Sequence, residues 1–178
     1  MKTAAIAIAI AICIGTNLIA EPRDFQIPAH GILRLNVPEA WQVESRALRQ
    51  PASVTLHLTP KTGDSFDIQV TTVWLDANQL AKSKPDSLKE DVERTAKQLL
   101  PRAIEKVANI EEIKGAGAIG YFFALTDGTP GPGEFKYLIQ GTFLTGEVLS
   151  AFTILYRAPA APEVDEAIRM FTDAMYVK

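Results

Sequence analysis

Gly115-Ala116-Gly117-Ala118-Ile119-Gly120 has the G-x-G-x-x-G spacing of a pyrophosphate-binding turn. That chemistry needs a strand before the glycines and a helix start after them, so that backbone N–H groups face the phosphates. Tyr121-Phe122-Phe123 follows instead, and it has strand character. The glycines therefore read as a flexible strand entry, or as small residues that let another backbone approach. His30 and His57 are the two histidines. His57 could combine with Asp64 or Asp67 across a turn, but no ligand spacing such as H-x-x-x-H supports a metal centre. Ser53 and Ser65 lie near His57 in sequence, yet there is no G-x-S-x-G elbow to present a nucleophile. Glu111 and Glu112 are adjacent carboxylates. On a strand they would face opposite ways and could not act as a pair. No catalytic set, metal site or cofactor site is assembled from these residues, and a non-enzymatic role is expected.

Binding is the better-supported chemistry. The connection Thr126 to Glu134 contains Asp127, Gly128, Thr129, Pro130, Gly131, Pro132 and Gly133. Its prolines stiffen the backbone and its glycines admit positive φ, and long loops on rigid sheets commonly carry recognition. This loop is the candidate binding segment, and the alternative reading is a disordered connection without a function. Trp41 and Trp74 could serve as a ligand platform, although core or rim packing is the commoner use of such residues. If a small-molecule pocket exists, Trp74 and Tyr121 are its candidate aromatics.

The amino terminus has the parts of an export signal. Lys2 precedes an apolar run from Ala4 to Ile14, and Leu18-Ile19-Ala20 leads to Glu21. This predicts a signal peptide over residues 1–20, followed by one domain over residues 21–178. The run is short for a membrane span, so no integral span is expected after cleavage. A retained amino-terminal anchor is the alternative. The periplasm or the extracellular medium is the expected location. The single cysteine, Cys13, lies inside the signal, which excludes disulfides and thiolate chemistry from the mature chain. Eighteen basic and 21 acidic residues give a net charge of −3. There is no basic stripe, and nucleic acid is not an expected partner.

The elements that would hold these residues alternate in period. Leu33, Leu35 and Val37 mark a strand with one buried face, and Trp41 and Val43 resume the alternation after a turn at Pro38-Glu39-Ala40. Residues 54–74 read as a hairpin about Lys61-Thr62-Gly63-Asp64. Leu88, Val92, Ala96, Leu99 and Leu100 share a helical face. Ser87 is expected as its N-cap, with Glu90 completing a capping box, and Pro101 as its stop. Strands return at Ile119 to Leu125, Tyr137 to Phe143 and Val148 to Tyr156, with a tight turn at Gly146. Pro162 fits the first position of a last helix, with Val164, Ile168, Phe171 and Met175 facing the core. The order predicts an α+β fold, a mainly antiparallel sheet covered by two principal helices.

The strand Ile32 to Val37, followed by Pro38-Glu39-Ala40-Trp41, is similar to the strand-then-Pro-x-x-Trp pattern of the PsbP-like fold. The hairpin, the central helix, the Gly-Tyr-Phe-Phe strand at 120–123, the closing hairpin and the terminal helix also resemble that group's order over most of residues 25–177. The resemblance implies a PsbP-like layered sandwich. Members act as photosystem accessory proteins, as a binder of a small GTPase, or in unassigned envelope roles. Their functional residues find no matching motif here and none is carried over. The resemblance implies an exported accessory or adaptor domain that binds another envelope protein. The alternative is a small-ligand-binding domain with a pocket between sheet and helix, with or without weak hydrolytic chemistry.

Overall fold

The computed structural model describes residues 20–159 and 161–178. The expected signal peptide therefore lies outside the described residues, except for Ala20. Ten strands and three helices follow in the order β1 (Ala20–Gln26), β2 (Ile32–Pro38), β3 (Trp41–Arg49), β4 (Ala52–Pro60), β5 (Phe66–Trp74), α1 (Ala77–Lys82), α2 (Pro85–Leu99), β6 (Ile110–Lys114), β7 (Ala118–Thr126), β8 (Tyr137–Thr145), β9 (Val148–Tyr156), α3 (Pro162–Thr172) and β10 (Met175–Val177). A 3-10 turn, Leu100–Arg102, extends α2.

Seven strands form one sheet in the order β3-β4-β5-β9-β8-β7-β6, and every pairing is antiparallel. β1, β2 and β10 form a second, three-stranded antiparallel sheet. The fold is α+β, as expected, and its strand alternation sorts the side chains to two faces. On one face, Leu56, Leu58, Ile68, Val70, Phe143 and Phe152 join the main core. Leu33, Leu35 and Val37 of β2, with Ala167, Met170 and Phe171 of α3, close that core from above. On the other face, Val92 and Ala96 of α2 pack on Phe123 and Leu125 of β7. Phe122 and Phe123, adjacent in sequence, thus serve opposite cores. One face carries α2 alone. The other carries α3 together with the small sheet, so the second cover is half strand.

Three strands escape the periodicity. β1 has one buried residue, Phe25, among charges and Pro22. β6 buries only Ile113. β10 takes Met175 away from α3: the helix ends at Thr172, and Met175 pairs beside Arg34 with 47% exposure. These are edge strands, which need no alternating buried face. Within α3, Phe171 is buried and Val164 and Ile168 are half-buried against the core.

The capping box lies elsewhere than expected. α2 begins at Pro85, whose missing N–H is harmless at a helix start, and its N-cap Lys84 makes no side-chain cap bond. The Ser87 hydroxyl instead donates to the Lys82 and Lys84 carbonyls at 2.8 Å. A capping box does occur at α1, where Asp76 accepts from the Gln79 amide at 2.8 Å and Gln79 accepts from the Asp76 amide at 3.0 Å.

One glycine allows the layers to meet and another relieves crowding between neighbouring strands of the sheet. A Cβ at Gly115 would collide with the Thr172 carbonyl at the end of α3, and one at Gly141 would collide with Tyr121 and Phe122 backbone and side-chain atoms. The G-x-G-x-x-G segment is therefore the β6–β7 hairpin turn and the entry to β7. No helix follows it, and its first glycine serves packing.

Candidate functional site

One end of the seven-stranded sheet collects most of the features that could bind a partner. The chain leaves β7 at Thr126 and enters the Gly/Pro loop. Its first residues are held on both sides: the Asp127 amide donates to the Lys136 carbonyl at 2.8 Å, and the Gly128 amide donates to the Arg102 carbonyl at 3.0 Å. Ala103 and Asp127 form an isolated antiparallel bridge. The Asp127 carboxylate accepts from the Thr129 amide at 2.9 Å, and Glu134 accepts from the Gly131 amide at 2.8 Å. Gly133 provides the positive φ, +81°, that lets the loop reverse.

Arg157, just past β9, braces this loop against a second one. Its Nε and Nη2 donate to the Asp64 carbonyl (2.9 Å) and carboxylate (2.8 Å) in the β4–β5 turn. Its Nη1 donates to the Gly133 (3.1 Å) and Glu134 (3.2 Å) carbonyls. The guanidinium also stands 4.4 Å from the centre of the Phe135 ring. The planar fork suits this multiple role better than an ammonium would.

Between the loop and the end of α2 lies a cleft of ≈ 170 Å³. Leu99, Ala103, Leu125, Phe135, Leu138 and Leu155 supply apolar walls, and Arg102, Asp127 and Lys136 supply charge. The segment that follows the 3-10 turn continues the apolar character into solvent. Ile104 is 56% exposed and Val107 80% exposed. Ile104 is fixed by its amide, which donates to the Thr126 carbonyl at 2.9 Å. Glu105 fastens the same segment, accepting from the Thr126 amide at 2.8 Å and hydroxyl at 2.7 Å. Burial works against the charged carboxyl. The Thr126 hydrogen bonds, with one from its own amide, outweigh that and hold its pKa below the ordinary value.

The two candidate aromatics do not meet. Trp74 belongs to the face of the main core, where its ring stacks on His30 at 3.8 Å and its indole N–H donates to Glu147 at 3.3 Å. Tyr121 packs in the α2 cluster on the opposite face. The two rings line no common pocket: strand order places β5 and β7 apart, and residue parity sends them to different sides. Trp41 is a core residue packed on Phe66.

The remaining chemistry-bearing residues are dispersed. His57 pairs with Asp67 at 2.9 Å on the exposed sheet face. Ser65 donates to Glu163 at 3.3 Å, and neither it nor Ser53 hydrogen-bonds a histidine. Glu111 and Glu112 do lie on a strand, β6, and so face opposite ways. Among the described residues, no group of three or more His, Cys, Asp or Glu side chains could hold a metal ion. Ile104, Val107 and Arg157 carried no signal in the sequence, because none stands in a periodic or motif context.

The layered arrangement is that of the PsbP-like fold. A particular likeness is the solution structure of cyanobacterial PsbP (CyanoP) from Synechocystis sp. PCC 6803. It superposes with a TM-score of 0.53 at 10% identity, over 94% of this chain and 99% of that one. A crystal structure from Bacteroides thetaiotaomicron VPI-5482 gives a TM-score of 0.47 at 12% identity, over 82% of this chain and 45% of that one. The likeness to CyanoP concerns the fold alone. No protein-family model and no curated protein matches the chain.

Proposed function

We propose that this chain is an exported accessory domain that docks another envelope protein through the end of the sheet built by the Gly/Pro loop and the Ile104–Val107 segment. The observation that carries the reading is the exposure of two large apolar side chains, Ile104 and Val107, on the segment that follows Ala103, a wall of the apolar cleft. Isolated exposed apolar residues are ordinary on a protein surface. Two of them on the short segment that leaves an apolar cleft are the kind of feature that marks a docking surface. The bracing of the loop supports the same reading, since a preordered surface loses less conformational entropy on association. The export signal read at residues 1–20 supports the compartment. Among the described residues no helix is long and apolar enough to cross a membrane, a statement that does not bear on β-barrels.

The test is capture of partners by the tagged full-length protein in its own host, compared with the double variant Ile104→Asp/Val107→Asp. Both positions are exposed, so the fold should survive. Loss of a reproducible envelope partner, with an unchanged melting temperature, supports the reading. Equal capture by the variant overturns it.

A further inference from the structure

The seven-stranded sheet ends on β3, which pairs with β4 and has no strand on its other side among the described residues. An open edge presents unpaired backbone N–H and C=O groups, and proteins ordinarily blunt such edges. Among the described residues, three of the four sheet edges are blunted: β1 carries Pro22, which has no N–H to donate, β6 is five residues long and β10 three. β3 is nine residues long and holds no proline. From Glu44 to Arg49 it is exposed on both faces of the sheet. Leu48, an apolar residue on this stretch, is 44% exposed.

The charges on β3 select what can pair with it. Glu44 and Arg46 are two residues apart and so project from the same face. Neither has an ion-pair partner among the described residues. Only every second residue of an edge strand turns its N–H and C=O outward. Two copies of β3 in antiparallel pairing therefore match only in registers that differ by two residues. With Ser45 opposite Ser45 of the second copy, Glu44 falls opposite Arg46 and Arg46 opposite Glu44. The two-fold thus makes two cross-strand pairs of opposite charge, an arrangement that stabilises a sheet. The same register sets Val43 opposite Ala47 and Gln42 opposite Leu48, and it uses the whole strand. A slip of two residues one way puts Glu44 opposite Glu44, and the other way Arg46 opposite Arg46. Like charges directly opposite are destabilising, so the pattern favours one register.

We infer that β3 joins a second copy of this chain, edge to edge and antiparallel about Ser45, so that the sheet continues through a two-fold axis. The pairing satisfies the outward backbone groups of both strands, with about one interstrand hydrogen bond per residue. It also shields Ala47 and Leu48 from water in part. The contact is isologous and closed, so assembly stops at the dimer. It uses none of the residues of the docking surface and stands whether or not that surface is used.

The experiment is sedimentation equilibrium on the protein purified from its own host, from about 1 μM to 1 mM, beside its charge variants. A monomer–dimer equilibrium within that range is expected. Glu44→Arg and Arg46→Glu each set like charges opposite one another at both pairs, and each should weaken the dimer about tenfold or more. The double variant Glu44→Arg/Arg46→Glu restores opposite charges with the signs exchanged. Its dissociation constant should return to within about threefold of the wild-type value. Both side chains are exposed, so the melting temperature of the dilute monomer should not change. Oxidation in a Cys13→Ser background reads the register. Ser45→Cys should give a disulfide-linked dimer and Leu48→Cys should not, because in this register the two copies of residue 48 stand roughly 20 Å apart along the strands. A monomer at every concentration overturns the inference. So does a dimer that the single charge variants leave intact, a double variant as weak as either single one, or cross-linking from Leu48→Cys in preference to Ser45→Cys.

Discussion

Removing the Arg157 side chain should loosen two loops at once. Arg157→Ala deletes four hydrogen bonds, two to Asp64 and two to the Gly133 and Glu134 carbonyls, together with the stacking on Phe135. The side chain is 34% exposed and that of Asp64 79%, so the ion pair itself contributes little, on the order of 0–1 kcal/mol. The cation–π contact adds about 0.5–1 kcal/mol at such a site. The charge-assisted bonds to the carbonyls add a similar amount once solvent competition is allowed for. The expected loss is about 1–2 kcal/mol, a fall in melting temperature of roughly 3–6 °C for a chain of this size. Urea denaturation measures the first quantity and calorimetry the second. Amide exchange supplies the local signature: residues 61–65 and 131–136 should exchange faster, while the β4–β5 and β8–β9 ladders stay protected. Arg157→Lys should recover less than half of the loss, since an ammonium cannot serve both loops. A loss under about 0.3 kcal/mol with unchanged exchange in both loops would refute the bracing role.

Other outcomes follow from the same structure. Gly115→Ala should destabilise the fold by about 1–3 kcal/mol or more, because the new Cβ meets backbone at the end of α3; urea denaturation checks it. Glu105→Gln should cost about 0.5–1 kcal/mol at pH 7. The folded pKa of Glu105 lies below the ordinary 4.5, so the stabilisation is complete above that value and disappears as pH falls through the folded value. Stability curves of the two proteins should therefore converge in acid, and a constant gap down to pH 2 would contradict the Thr126 contacts as its cause. Replacing Pro130 and Pro132 together by alanine should leave the melting temperature within about 1 °C, since both residues are exposed, while partner capture weakens as the loop loses stiffness.

The parts of the fold that were legible in sequence are those with a buried face of regular period. β2, β5, β8 and β9 alternate cleanly, and β4 and β7 do so apart from the buried neighbours Ser53/Val54 and Phe122/Phe123, because each lies inside a sheet or under a cover. β1, β6 and β10 were illegible because an edge strand can be held by hydrogen bonds with a single buried side chain. Ser87 matched a capping box and lost to Pro85, whose preference for the first helical turn set the start three residues earlier. The binding loop was visible in its glycines and prolines. What holds it was not, since Arg157 lies 24 residues beyond Gly133 and Arg102 stands before two intervening strands. Residue type alone makes Trp74 and Tyr121 pocket candidates; that β9 and β8 stand between their strands is a matter of strand order, which periodicity does not carry.

Site-resolved photo-cross-linking in the native host tests the central claim most directly. A photoreactive residue is placed in turn at Val107, Thr129 and, on the exposed polar face of β5, Gln69. The docking account predicts that Val107 and Thr129 cross-link to one and the same envelope protein and that Gln69 does not. Cross-linking from Gln69 alone, or none from Val107 and Thr129 in a correctly exported protein, would contradict it.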